Sequence, residues 1–253
     1  MNWRSWSLAM LCVVGVSGCA TPPPPAPLHD QMADLMKSGA KLSVNFRAGD
    51  PRVVRDNPTC QSAPCTTTGR GVYIGDGLIL TAAHVVQQIQ PGDTMSVEIR
   101  EYTGSAQLVW ANKKWDRGQG DLALLRLGSA LLDVMSQQGT LSPMPVCQDP
   151  PSGNLDAVIL GFNVMIPTTL TSTTPSGEFN VLSDGEPGFS GSGIIDLQHK
   201  CLAGVLSAQN GLKDVDGPRD NAASWGMRKS IFTPVDASII AVAREAAGSR
   251  STK

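Results

Sequence analysis

Three residues occupy settings in which their side chains could act together on a substrate. They are His84 in LILTAAHVV, Asp121 at the start of DLALLRL, and Ser190 in EPGFSGSGI. A serine hydroxyl becomes a nucleophile when a base takes its proton, and that base is usually a histidine held by a carboxylate. Glycines beside Ser190 allow a sharp turn that aims N–H groups at a developing oxyanion. The three segments together predict a nucleophilic site, although each alone suits a turn or a core residue.

The same segments contain rival candidates. Ser192 follows Ser190 by two residues and is the alternative nucleophile. The other two histidines are expected to be inert, because His29 lies beside a proline-rich stretch and His199 lies in a polar turn, DLQHKC.

The elements that would position these residues are short strands. Apolar runs broken by turn residues extend from about residue 40 to about residue 232, and GDG at 75–77 is typical of a hairpin. Such strands, with no helices between them, predict an all-β sandwich or barrels. A helix is expected at each end, in LHDQMADLMK and from Pro234 onward. The predicted strands are KLSVNF, GVYI, LILT, MSVEIREY, AQLVWA, DLALLRL, DAVILGF, TTLTST, FNVLS, GIIDL, CLAGVLSA and RKSIFT.

Composition narrows the function classes. The chain has 253 residues, 17% of them charged, with a net charge of −2 and no long basic run. Nucleic-acid binding would require a basic stripe or patch, so it is not expected. No residue pattern calls for a cofactor or a metal.

The N-terminus has the features of an export signal. Arg4 precedes an apolar stretch at 8–16, which is shorter than the roughly 20 residues of a membrane-spanning helix. The ending VSGC resembles the lipobox of bacterial lipoproteins, which implies a signal peptide at 1–18 and a lipid on Cys19. Ala20 in the next position implies sorting to the outer membrane, facing the periplasm or the cell surface. An ordinary secretory signal is the alternative.

The segment 19–39 would then contain the lipidated cysteine, a spacer and a short helix. TPPPPAP at 21–27 is a stiff, extended sequence that would hold a folded domain away from the membrane.

Four cysteines remain after Cys12 in the signal and Cys19 are set aside, and they allow three pairings. The local loop CQSAPC favours Cys60–Cys65, which leaves Cys147–Cys201. An oxidising envelope favours disulfides, and a metal site is the alternative.

TAAHVV, DLALLRL and PGFSGSGI resemble the three catalytic motifs of the chymotrypsin-like serine proteases. They occur in that family's order, His, Asp and Ser, separated by 37 and 69 residues. The resemblance covers about residues 40 to 246. It implies a protease domain at 40–253 made of two six-stranded antiparallel β-barrels, roughly 40–130 and 131–253, with the site between them and a C-terminal helix.

The resemblance also implies a role for each matching residue. His84 is the general base, Asp121 orients it, and Ser190 attacks the carbonyl. The N–H groups of Gly188 and Ser190 form the oxyanion hole. GVLSAQ resembles the strand that pairs with substrate, which implies that Ser207, Ala208 and Gln209 line the cleft.

Three positions bear on the comparison with trypsin, of which two depart from it and one matches it. Phe189 stands where trypsin has the Asp that pairs with its new N-terminus, so activation by that ion pair is not expected. Asp184 lies six residues before Ser190, where trypsin keeps the carboxylate that selects Arg or Lys. Gln209 replaces a glycine that keeps trypsin's pocket open, which argues against the same preference.

These features predict a serine endopeptidase of the bacterial cell envelope that acts on protein or peptide substrates through an acyl-enzyme. A catalytically latent, protease-like binding lipoprotein is the main alternative. An α/β-hydrolase esterase would need the order Ser, acid, His and a parallel sheet, neither of which is predicted. A purely structural lipoprotein would make the three motifs a coincidence.

Overall fold

The structure is a computed structural model. It describes residues 28–55, 57–90, 93–112, 120–149, 151–172, 179–182, 188–209 and 229–235, together with residues 237, 240, 241, 244 and 245. The predicted signal peptide with Cys19, the linker, and the segment holding Asp184 lie outside the described residues. Among the helices that are described, none has the length and apolar character needed to cross a membrane.

Six antiparallel strands close the first barrel. They are β1 (Gly39–Phe46), β2 (Cys65–Gly75), β3 (Leu78–Thr81), β4 (Thr94–Ile99), β5 (Tyr102–Ala111) and β6 (Ala123–Leu127). Their order around the barrel is β1-β2-β3-β6-β5-β4, with β4 returning to pair with β1. In β1 the buried residues Ala40, Leu42, Val44 and Phe46 alternate with more exposed ones, as expected for a strand with one face in a core.

Six further strands close the second barrel. They are β7 (Leu155–Gly161), β8 (Val164–Ser172), β9 (Phe179–Leu182), β10 (Gly193–Asp196), β11 (Cys201–Gln209) and β12 (Lys229–Pro234). Their order is β10-β11-β12-β9-β8-β7, and β7 closes on β10. The prediction of an all-β chain with two six-stranded barrels is confirmed, and each predicted strand overlaps one of these elements.

The turns depart from the prediction at one place. MSVEIREY was predicted as one strand, but the chain turns at Arg100, whose φ of 55° separates β4 from β5. The GDG hairpin is confirmed, because Gly75, Asp76 and Gly77 all have positive φ between β2 and β3.

The helices are short. They are α1 (Leu28–Met36), α2 (Pro51–Val54) and α3 (Ser129–Gln137), with 3-10 helices at Pro58–Gln61 and Ala83–Val86. The N-terminal helix was predicted, and the described residues between 237 and 245 are helical, which agrees with a helix at the C-terminal end. α3 was not predicted; it follows β6 in the chain and buries only Leu131 and Met135, four residues apart.

Of the two buried clusters among the described residues, one contains residues of both barrels. Val72 of β2 belongs to the same buried cluster as Leu160 of β7 and Val205 of β11. The backbones also approach closely there, because a Cβ added to Gly39 would lie 2.7 Å from the carbonyl oxygen of Gly161. The junction between the barrels is therefore packed.

Both expected disulfides are present. Cys60 is bonded to Cys65, and Cys147 to Cys201. Asp196 lies beside the second bond. The sulfurs of Cys147 and Cys201 are bonded to each other, so neither offers a thiolate to a metal.

Candidate active site

Asp121 and His84 form a close pair at the mouth of the first barrel. The Oδ2 atom of Asp121 lies 2.6 Å from Nδ1 of His84, and its Oδ1 accepts the backbone N–H of His84 at 2.9 Å. The carboxylate is 0% exposed, whereas the His84 side chain is 24% exposed. A buried carboxylate therefore holds an imidazole that is itself partly exposed.

Strand register explains how two residues so distant in sequence meet. β3 and β6 are antiparallel neighbours, and Thr81 pairs with Ala123 at the end of the ladder. His84 follows Thr81 by three residues, in the 3-10 turn Ala83–Val86, and Asp121 precedes Ala123 by two. Both side chains therefore leave the barrel at the same end.

Ser207 supplies a third contact to the carboxylate. Its hydroxyl donates to Oδ2 of Asp121 at 2.5 Å, and the side chain is buried. β11 and β12 change register between Leu206 and Ala208, so Ser207 sits at a bulge in the ladder. Bulges commonly re-aim one side chain. Ser207 was predicted to line the cleft, and its contact with Asp121 was not predicted.

The electrostatics of this pair favour an ionised acid. Burial by itself would raise the pKa of the Asp121 carboxyl, but hydrogen bonds from His84 and Ser207 outweigh it and leave that pKa below its ordinary value. An ionised carboxylate only accepts hydrogen bonds. The proton on His84 is therefore assigned to Nδ1, which leaves Nε2 as the acceptor when the ring is neutral.

Ser190 lies in a tight loop with two glycines in the left-handed region. Gly188 has φ +96° and Gly191 has φ +87°. The Ser190 carbonyl accepts the N–H of Arg70 at 2.8 Å, and the N–H of Gly191 donates to the Leu206 carbonyl at 2.8 Å. The loop is thus fixed to both barrels, since Arg70 belongs to β2 and Leu206 to β11.

Two sets of contacts bring this loop to the acid–base pair. Leu206, which binds the Gly191 N–H, immediately precedes Ser207, whose hydroxyl binds Asp121. On the other side, a Cβ added to Gly69 would lie 3.3 Å from the Ser190 carbonyl oxygen and 2.4 Å from Cγ1 of Val85, the residue after His84. The Ser190 loop therefore packs beside the His84–Asp121 pair.

The two candidate serines differ in exposure. Ser190 is partly exposed, whereas Ser192 is 0% exposed. Within the described part of the chain, the Ser192 hydroxyl is buried with no hydrogen-bond partner. A substrate could reach Ser190 but not Ser192 in this conformation.

The predicted oxyanion-hole residues lie in the Ser190 loop, and the predicted cleft residues Ser207, Ala208 and Gln209 lie in β11. No backbone hydrogen bond among the described residues uses the N–H of Gly188 or Ser190. Ala208 and Gln209 lie in the last part of β11, paired with β12. Asp184 lies outside the described residues.

A second Asp–His pair occurs in the turn between β10 and β11. Nδ1 of His199 lies 2.6 Å from Oδ2 of Asp196, and the imidazole is 62% exposed. The other oxygen of Asp196 accepts the backbone N–H of Gln198 at 2.8 Å, as in an Asx turn. This pair therefore closes a turn.

The fold and the site define a chymotrypsin-like serine protease. A family model for the trypsin-like peptidase domain matches residues 69–205, a range that contains His84, Asp121 and Ser190. This chain belongs to that family of serine protease hydrolases.

Solved structures share the fold. The active form of the Rv3671c protease from M. tuberculosis is 19% identical, with a TM-score of 0.53, covering 98% of this chain and 95% of that one. The inactive form of a serine-to-alanine mutant of the same protein is 18% identical, with a TM-score of 0.54, covering 90% and 96%. No curated protein sequence matches the chain significantly.

Proposed function

We propose that this chain is a serine endopeptidase of the bacterial cell envelope that cleaves peptide bonds with His84, Asp121 and Ser190. The observation that carries the proposal is the 2.6 Å contact of His84 Nδ1 with the buried Asp121, beside the loop of Ser190. A buried carboxylate, an oriented imidazole and an accessible hydroxyl are the parts that acyl transfer requires.

The first half-reaction forms an acyl-enzyme. The Ser190 hydroxyl attacks the carbonyl carbon while Nε2 of His84 takes its proton, and Asp121 stabilises the imidazolium. The oxyanion accepts hydrogen bonds from the N–H groups of Gly188 and Ser190. His84 then gives the proton to the departing amine, and the peptide C–N bond breaks.

The second half-reaction releases the acyl group. Water replaces the amine, and His84 takes one of its protons as the oxygen attacks the acyl carbon. Collapse of the second tetrahedral intermediate breaks the ester bond and returns the proton to Ser190. Substrate peptide would pair with the backbone of Ser207, Ala208 and Gln209. Asp184 would favour a basic residue before the cut only if Gln209 leaves the pocket open to it.

Fluorophosphonate labelling of the purified domain that begins after residue 27 tests the nucleophile. We expect Ser190→Ala to abolish labelling and Ser192→Ala to retain it, because Ser192 is buried. Labelling lost only in Ser192→Ala would overturn the assignment. If folded wild-type protein does not label, the latent, protease-like binding lipoprotein becomes the better description.

A peptide library should follow if the wild type labels. Cleavage after Arg or Lys that is weakened in Asp184→Asn would support the proposed role of Asp184. The same preference in both proteins would remove Asp184 from the pocket.

The location is proposed from the lipobox-like VSGC, which would place a lipid on Cys19 and the domain on the outer membrane. Expression of wild type and Cys19→Ser with a palmitate analogue tests this. The wild type should carry the label and sediment with membranes, and the variant should do neither. Equal labelling of both proteins would contradict the assignment.

A further inference from the structure

The Arg70 guanidinium lies near two aromatic rings, one of which, Phe189, belongs to the Ser190 loop. The Arg70 guanidinium carbon lies 5.5 Å from the centroid of the Phe189 ring and 5.9 Å from that of Phe162. Both distances fall within the roughly 6 Å at which a cation is attracted to a ring face. Arg70 belongs to β2 of the first barrel, whereas the two rings belong to the second.

The backbone of Arg70 is bound to the same loop. Its N–H donates to the Ser190 carbonyl at 2.8 Å. Its carbonyl oxygen accepts the Thr81 hydroxyl at 2.6 Å and lies 2.1 Å from where a Cβ on Gly191 would stand. Arg70 thus contacts the loop at Phe189 through its side chain and at Ser190 and Gly191 through its backbone.

Within the described part of the chain, the two rings are the main partners of this cation. Burial lowers the pKa of the Arg70 guanidinium, and the charge of Glu98 partly opposes that effect. Among the described residues, Arg70 forms no ion pair, while Glu98 pairs with Lys41 at 3.2 Å. Cation–π attraction is stronger for a cation that has lost water.

We propose that Arg70 is a positioning residue that orders the Ser190 loop through Phe189. The inference rests on the proposed function in one respect, that this loop carries the nucleophile and the oxyanion donors. Phe189 occupies the place where trypsin uses an acid bound to its new N-terminus. Here the anchor is a residue of β2, so the loop is ordered by folding alone, without an N-terminal cut.

Amide hydrogen exchange and fluorophosphonate labelling of the full chain in detergent test this. Arg70→Met removes the charge and keeps an unbranched chain, and Arg70→Lys keeps a cation. Lys41→Met is the matched control, because its ammonium lies 5.9 Å from the Phe162 centroid but belongs to β1. The reporters are three backbone amides whose hydrogen bonds hold the loop. The N–H of Arg70 donates to the loop, that of Ser192 donates within it, and that of Gly191 donates from it to β11.

We expect Arg70→Met to speed exchange at the three amides and to lower the maximal labelling rate about tenfold, with the half-saturating probe concentration unchanged. Arg70→Lys should restore much of both, and Lys41→Met should match wild type. Phe189→Leu removes the ring while keeping an apolar side chain. It should reproduce the effects of Arg70→Met, and the double variant should add little to either single change. Phe189→Leu also keeps the inference testable if Arg70→Met fails to fold.

Unchanged exchange at the three amides in both Arg70→Met and Phe189→Leu would overturn the inference, whatever the labelling. The wild type could fail to label while the Arg70→Met and Phe189→Leu variants exchange the three amides faster than the wild type does. That outcome would support the ordering role and reject the proposed protease chemistry. An equal loss in Lys41→Met would overturn the inference, because it would indicate a general loss of packing.

Discussion

Asp121 illustrates how one side chain can be held by three donors. It accepts the imidazole Nδ1–H and the backbone N–H of His84, and the hydroxyl of Ser207. The acid is fully buried, so its charge is tolerated only because these donors replace water. The same contacts that fix the imidazole therefore also couple the stability of the fold to the ionisation of this group.

The first prediction concerns pH. The native pKa of Asp121 lies below its ordinary value. At pH values above the unfolded pKa of about 3.9 both states are ionised and this group adds no slope. As pH falls from there toward the native pKa, only the unfolded state takes up the proton, so the free energy of unfolding decreases.

Denaturant titrations of wild type and Asp121→Asn between pH 7 and pH 2.5 measure this contribution. The wild-type curve should fall more steeply below about pH 4 than the variant curve. Parallel curves would mean that Asp121 is not preferentially ionised in the folded state.

At the scale of elements, the site depends on one close approach between barrels. Gly191 follows Ser190 and lies against the backbone of β2 and the Thr81 hydroxyl of β3. A Cβ there would lie 2.1 Å from the Arg70 oxygen and 2.4 Å from the Thr81 hydroxyl oxygen. The loop can reach its position only because residue 191 has no side chain.

The second prediction is that Gly191→Ala costs at least about 3 kcal/mol of unfolding free energy, because strain at positive φ adds to a backbone collision. Gly139→Ala is the control: its φ is +60°, but no atom lies within 4 Å of the added Cβ. That change should cost about 1–2 kcal/mol. Equal costs in chemical denaturation would show that the close approach adds nothing.

The third prediction compares the two disulfides. Cys147–Cys201 spans 54 residues, and Cys60–Cys65 spans 5. Loop-closure entropy in the unfolded chain then gives about 4 kcal/mol for the long loop and about 2 kcal/mol for the short one. Double alanine variants of each pair, compared by denaturant unfolding, should show that order. The reverse order would mean that local packing outweighs chain entropy.

At the scale of the whole molecule, one buried cluster contains residues of both barrels, and a second cluster belongs to the second barrel alone. Residues of β2, β7 and β11 belong to one buried cluster, so opening one barrel exposes apolar surface of the other. The cost of that exposure links the two halves. It also holds the parts of the candidate site together, since His84 and Asp121 come from the first barrel and Ser190 from the second.

The fourth prediction is a single cooperative unfolding transition, with equal calorimetric and van't Hoff enthalpies. Leu160→Ala in β7, at 0% exposure, should lower stability by about 2–5 kcal/mol and shift the whole transition. Val134→Ala in α3, 43% exposed, should change stability by no more than about 0.5 kcal/mol. Two separate transitions in calorimetry would contradict a shared core.

Most of the strands, the hairpin at 75–77 and the three segments of the site could be predicted from the sequence, and the disulfide pairing found in the structure was the favoured one of three. Those features have local signals: alternating apolar residues, turn glycines, a five-residue cysteine loop and short motifs. α3 has a weaker signal, with two buried residues next to a strand, and was missed for that reason.

Which side chains serve the site from a distance depends on how the elements pack against one another. Ser207 and Asp121 are 86 residues apart, and their hydrogen bond depends on a bulge in β11. Arg70 meets Phe189 only where the barrels pack, and Ser192 is buried by its loop while Ser190 remains partly exposed. Sequence patterns record the periodicity of one element at a time. Contacts between elements depend on register, on the close approach of glycines, and on which face each loop turns toward its neighbour.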